Sequence, residues 1–205
     1  SSLIILAIKP QNMAAVLDEV KGVITDEKTV VSIAAGITLA FLQSKLATKQ
    51  IVRVMPNTPA LVQEGMSVLS MCDRLSDKEF VKVREIFMSV GRVLTLPEEY
   101  MNAVTALSGS GPAFIALFTE AMIDAGVGMG LERGHASELA LQTLIGTARL
   151  LETGMHPERL REMVTSPGGT TAAGLRVFED RKLGDLVGDA LGAALRRADE
   201  LGKKE

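Results

Sequence analysis

The chain has 205 residues, 47% of them apolar and 23% charged, with a net charge of -3 and neither tryptophan nor a basic cluster. That length holds one large domain or two small ones. The charge pattern and the scarcity of aromatic rings argue against a nucleic-acid surface, and so apolar a chain is expected to bury area against a partner copy.

The first part alternates short β-rich runs with amphipathic helices. Leu3–Ile8 reads as a buried strand, Gln11–Val20 as a helix, Thr29–Ala34 as a second strand and Thr38–Leu46 as a helix. Ile51–Met55 and Ser67–Met71 follow as strands, then a helix over Asp77–Val90 capped by Ser76, then a last strand over Arg92–Leu96. Continuous apolar strands separated by helices predict a parallel sheet covered on both faces. Beyond Pro97 the pattern is helical only, over Glu98–Leu107, Pro112–Met129, Gly134–Thr153, Pro157–Val164, Thr170–Glu179 and Leu183–Lys203. Two domains are therefore expected, 1–97 and 98–205.

Cys72 is the only cysteine, which excludes an intrachain disulfide and fits a reducing, cytoplasmic setting. The apolar stretch Ala103–Ala125 is broken by Ser108, Gly109, Ser110, Gly111, Pro112, Glu120 and Asp124, so no membrane span is expected. His135 and His156 read as cap or surface positions, outside any metal motif.

Three strand ends carry loops that could meet a ligand, because open α/β sheets bind at the carboxyl ends of their strands. They are Ala7-Ile8-Lys9-Pro10, Ala34-Ala35-Gly36 and Arg53-Val54-Met55-Pro56-Asn57-Thr58-Pro59. Lys9 is either a ligand-facing cation or a surface lysine. The small residues at 34–36 either admit a flat ring or allow close helix packing. The two prolines of the third loop would present Asn57 and Thr58. Ser108-Gly109-Ser110-Gly111-Pro112 either lines a site or permits a close helix crossing.

Thr165-Ser166-Pro167-Gly168-Gly169-Thr170-Thr171 is small, uncharged and rich in hydroxyls between two helices. It is either a plain connector or an anion site, since a helix start leaves backbone N–H groups free for a carboxylate. No lysine occurs between Met101 and Arg181, so this region offers no lysine acid until Lys182.

These motifs stand in one order: Ala7–Gln11, Ile33–Ile37, Arg53–Pro59, Ala103–Ala113 and Val164–Thr171. In that order, and over the whole chain, the sequence resembles the pyrroline-5-carboxylate reductase family. The resemblance implies an enzyme that reduces 1-pyrroline-5-carboxylate to L-proline with NADPH or NADH, the last step of proline biosynthesis. It implies an α/β Rossmann-type dinucleotide-binding domain, here its C-terminal portion, followed by an all-α dimerisation and substrate-binding domain. A homodimer through the helical domain, and in several members a decamer, goes with it. The strand and Gly-rich phosphate turn that open the family's pattern have no counterpart in this sequence.

Carried over by position, Ala7, Ile8, Lys9 and Pro10 fall to the cofactor, with Ile33, Ala34 and Ala35 beside its nicotinamide half. Ser166, Gly168, Gly169, Thr170 and Thr171 match the substrate loop, and Glu98 an acidic position near it. An imine that carries its own proton needs alignment more than a strong acid. The expected roles are a carboxylate cradle at Gly168–Thr171 and a hydrogen bond from the Thr171 hydroxyl to the ring nitrogen. Two rivals exist. A β-hydroxyacid dehydrogenase would be expected to carry a lysine on the Pro112–Met129 helix, which has none. A non-catalytic helical assembly module is the other, should the protein truly start at Ser1.

Overall fold

A computed structural model describes residues 1–202; Lys203, expected to close the last helix, lies outside them. The chain forms two compact units. One comprises residues 1–112 with 190–202, the other residues 113–189. The strands end before Pro97 as expected, but the segment after it packs on the sheet and so belongs to the first unit.

In that unit the strands are β1 (Leu3–Leu6), β2 (Thr29–Ser32), β3 (Ile51–Met55), β4 (Gly65–Met71) and β5 (Gly91–Thr95), hydrogen-bonded in that order. Pairs β1–β2 and β2–β3 are parallel, β3–β4 is antiparallel and β4–β5 is parallel. The expected all-parallel sheet is thus corrected to a mixed one. The physical reason is the connection: only residues 56–64 join β3 to β4, including a 3-10 turn at Thr58–Val62. A parallel return needs a crossover of about a dozen residues or more.

Helices α1 (Met13–Val20), α2 (Leu39–Lys45) and α3 (Asp77–Met88) cover the sheet. Their periodic apolar residues fill two clusters. Met13, Leu17, Leu39 and Leu42 pack with Val30 and Ile51; Val83 and Phe87 pack with Val31, Val52 and Leu69. The Ser76 hydroxyl accepts the Glu79 N–H and caps α3, and Thr38 caps α2 through Phe41 N–H in the same way. Cys72 is buried, its thiol donating to the Lys49 carbonyl.

The segment expected as one helix over Glu98–Leu107 is three pieces: a 3-10 turn at Glu98–Tyr100, α4 (Met101–Val104) and a π turn over Thr105–Gly109. Ser110 N–H reaches back to the Thr105 carbonyl at 2.9 Å, which widens the turn. Met101 and Val104 form a third cluster with Val68. The later part of α9 (Leu183–Gly202) closes this unit, with Asn102 donating to Asp199 at 2.7 Å.

The second unit is helical: α5 (Gly111–Gly128), α6 (Arg133–Glu152), α7 (Pro157–Met163), α8 (Thr170–Asp180) and the start of α9. Gly126 lies against Ala136, and Phe118 meets Phe178 with ring centroids 6.3 Å apart. Little else is buried within one chain. Ile115, Leu117, Phe118 and Met122 of α5 and Leu139 and Ile145 of α6 are all exposed. Helices of this apolarity find their missing cover in a partner.

Candidate functional site

The parallel strands β1, β2 and β3 bring their carboxyl ends to one edge of the sheet, so three of the five motifs converge there. After β1, Ala7 and Lys9 are exposed while Ile8 turns into the core. Pro10 opens a 3-10 turn whose Asn12 N–H returns to the Lys9 carbonyl at 3.0 Å. Lys9 thereby projects from a fixed backbone, and among the described residues it has no ion-pair partner. A lone ammonium at this edge fits a dinucleotide's phosphate.

After β2, Ile33 N–H bonds the Leu6 carbonyl at 3.2 Å, which ties this loop to the first. Ala34 is buried and Ala35 half-exposed. A Cβ added to Gly36 would meet Leu201 of α9 at 3.3 Å. Of these small residues, Gly36 serves helix packing, while Ala35 remains half-exposed.

After β3 the expectation for Asn57 is corrected. Its side chain is turned inward: Oδ1 accepts the Met66 N–H at 2.8 Å, and Nδ2 donates to the Ser108 carbonyl and hydroxyl at 3.3 Å. Both donor and acceptor are committed to pinning β4 and the π turn to the end of β3. Next to Ser108, a Cβ at Gly109 would meet only the terminal methyl of Met55, the far end of a flexible side chain. The Ser108–Pro112 motif thus starts as a hydrogen-bonded contact with the loop that follows β3.

In the second unit, α7 ends at Met163, and Ser166–Gly169 form a turn closed by Gly169 N–H to the Ser166 carbonyl at 3.0 Å. Gly168 has φ +71°, the left-handed region that other residues rarely adopt. A side chain at Gly169 would strike the Ser166 hydroxyl. Gly169 caps α8 with backbone alone, and the first helical bond runs from Ala173 N–H to the Gly169 carbonyl at 3.1 Å. The N–H groups of Thr170, Thr171 and Ala172 therefore lie outside the helical ladder. Among the described residues the Ser166, Thr170 and Thr171 hydroxyls have no hydrogen-bond partner. Free amides, free hydroxyls and the positive end of an eleven-residue helix suit a carboxylate.

Glu98 lies in the first unit and the Ser166–Thr171 loop in the second. Glu98 Oε1 accepts the Leu39 N–H at 2.7 Å and pairs with Arg53 at 3.0 Å. Arg53 is a residue that sequence reasoning passed over. Its signal was a charge at an inward position of the apolar strand Ile51–Met55.

The family model described as pyrroline-5-carboxylate reductase dimerisation matches residues 98–201. Pyrroline-5-carboxylate reductase of Synechocystis is 44% identical over 205 residues, all of this chain and 76% of its own length. That of Methanosarcina acetivorans is 45% identical over 206 residues, again all of this chain and 76% of the relative. The crystal structure of Plasmodium falciparum pyrroline carboxylate reductase with NADP bound aligns with a TM-score of 0.92 at 34% identity, over 98% of this chain and 77% of that one.

Proposed function

The chain belongs to the pyrroline-5-carboxylate reductase family, and we propose that two sets of residues divide the reaction within it. The protein is an NAD(P)H-dependent oxidoreductase that reduces 1-pyrroline-5-carboxylate to L-proline, the last step of proline biosynthesis. It is a homo-oligomer built through its helical region.

The strand ends take the cofactor. Lys9 offers its ammonium to a phosphate, the exposed backbone at Ala7 and the Pro10 turn shape the approach, and Ile33, Ala34 and Ala35 border the nicotinamide half. When bound, the dihydronicotinamide supplies the hydride that the imine carbon accepts. The Ser166–Thr171 loop takes the substrate. Amides of Thr170, Thr171 and Ala172 hold its carboxylate, with Ser166 and Thr170 hydroxyls beside them. Gly168 and Gly169 shape that cradle. The Thr171 hydroxyl donates to the ring nitrogen as its lone pair returns. The imine brings its own proton, so no histidine or lysine is required there.

This division also separates residues 1–97 as the dinucleotide-binding part from 98–205 as the dimerisation and substrate part. The stretch Glu98–Gly128 is long and apolar enough to cross a membrane. Its first part packs on the sheet through Met101 and Val104, and we read the rest, Gly111–Gly128, as dimer interface, because Glu120 and Asp124 interrupt it, its apolar residues are exposed and it falls in the dimerisation match. A decamer of such dimers is the larger assembly that the resemblance implies. The lone buried thiol of Cys72 fits the cytoplasm.

The observation that carries this reading is the set of three unladdered amides at the start of α8. It is tested by comparing 1-pyrroline-5-carboxylate with 1-pyrroline, which has the same C=N bond and no carboxylate. We expect NADPH oxidation matched by L-proline for the first. For the second, kcat/KM should fall about 100-fold, the scale of two charge-assisted hydrogen bonds. Equal kcat/KM values would remove the cradle from the mechanism.

A further inference from the structure

Arg53 is the only charged residue in the buried set among the described residues, 4% exposed in the middle of the sheet. Its cross-strand neighbours are Ser32 and Ser70, both buried. Ile51, Arg53 and Met55 share one face of β3. Ile51 packs with α1 and α2 residues, and Met55 packs with Val68 and Met101. Arg53 thus stands at the seam between two apolar clusters. A charge there is no aid to packing, since a hydrophobic residue of similar volume would serve stability as well or better.

What the charge does is hold Glu98. Glu98 Oε1 takes the N–H of Leu39, first residue of α2, from 59 residues away, while Thr38 caps the Phe41 N–H locally. The loop Ile33–Thr38 is therefore anchored at both ends, by Ile33 N–H on the Leu6 carbonyl and by Leu39 N–H on Glu98. Between the anchors, Gly36 rests under Leu201.

We propose that Glu98, oriented by Arg53, is a positioning residue that fixes the start of α2 and so sets the Ile33–Ala35 backbone against the nicotinamide half of the cofactor. The inference rests on the assignment of that loop to the nicotinamide half.

Glu98→Gln tests it, because glutamine keeps an oxygen for Leu39 and loses the charge that Arg53 faces. Binding is titrated with NADPH and with 2′-phospho-ADP-ribose, the same molecule without nicotinamide (NADH and ADP-ribose if NADH is the better donor). The NADPH Kd should weaken about tenfold, the scale of one charge-assisted hydrogen bond, and the Kd of the fragment should stay within about twofold. The KM for 1-pyrroline-5-carboxylate should stay within about twofold as well. Arg53→Lys, which keeps the charge, should show the same split at smaller size. Equal weakening of both probes, no weakening, or a rise confined to the KM for 1-pyrroline-5-carboxylate would each overturn the inference. Ala35→Leu distinguishes the two levels. If it weakens NADPH and Glu98→Gln does not, only the positioning role falls. If Ala35→Leu also leaves NADPH binding intact, the loop assignment falls with it.

Discussion

Replacing Gly91 by alanine is expected to lower the melting temperature by roughly 10 °C. Gly91 opens β5 opposite Gly65 of β4, with φ +146°. An added Cβ would collide with the Gly65 carbonyl oxygen, nitrogen and carbonyl carbon. All three are backbone atoms, so no side-chain rotation relieves the clash. Gly65 is itself held by its N–H on the Val90 carbonyl at 2.9 Å, and a Cβ added to it would in turn meet Ala60 at 2.8 Å. The strands must part or the turn before β5 must change hand. Overpacking and an unfavourable φ together cost about 3–4 kcal/mol, which for a chain of this size is roughly 10 °C. A melting temperature unchanged by Gly91→Ala would show that β5 is not paired in this register.

The largest catalytic loss is expected at Thr171. Thr171→Ala should lower kcat about tenfold or more, with Thr171→Ser recovering most of it. The hydroxyl stands in the first turn of α8, half-buried and without a partner among the described residues. Its removal therefore disturbs no internal hydrogen bond, and the melting temperature should hold. A hydroxyl that bonds the ring nitrogen is worth most as that nitrogen gains its lone pair, so the loss appears in kcat more than in KM. About 1.4 kcal/mol, one hydrogen bond's worth, corresponds to tenfold. An unchanged kcat/KM in Thr171→Ala would end the assignment.

The two roles differ in how plainly the residues announced them. Strand β3 was legible to its end residues, because Ile51–Met55 is a β-rich run, apolar except at Arg53, bounded by Gln50 and Pro56. The α3 cap was legible because Ser76 stands just before a helical period. The reversal of β4 was not, since an apolar run records burial and not direction; the shortness of residues 56–64 was the available clue. Asn57 looked like a presented polar group between two prolines. Its inward turn depends on Ser108, 51 residues away, and on a π turn that no periodicity marks.

Glu98 shows the same limit in sharper form. Local pattern makes it a helix-start acid, and resemblance sets it near the substrate. Its bonded partners are Leu39 and Arg53, separated from it by 59 and 45 residues. The Ser166–Thr171 loop lies at the other extreme. Its composition alone implied a turn with free amides, because Gly168 and Gly169 admit the φ and the closeness that the turn uses. Local chemistry was readable wherever the partners were local.

The most direct measurement is hydrogen–deuterium exchange across residues 165–173, read by mass spectrometry in the presence of L-proline or pyrrolidine. The amides of Thr170, Thr171 and Ala172 lack helical acceptors and should exchange fast in the free protein. L-Proline carries the carboxylate and should slow them. Pyrrolidine has the same ring without it and should leave them unchanged. Equal protection by both, or protection by neither at saturating L-proline, would contradict the carboxylate cradle.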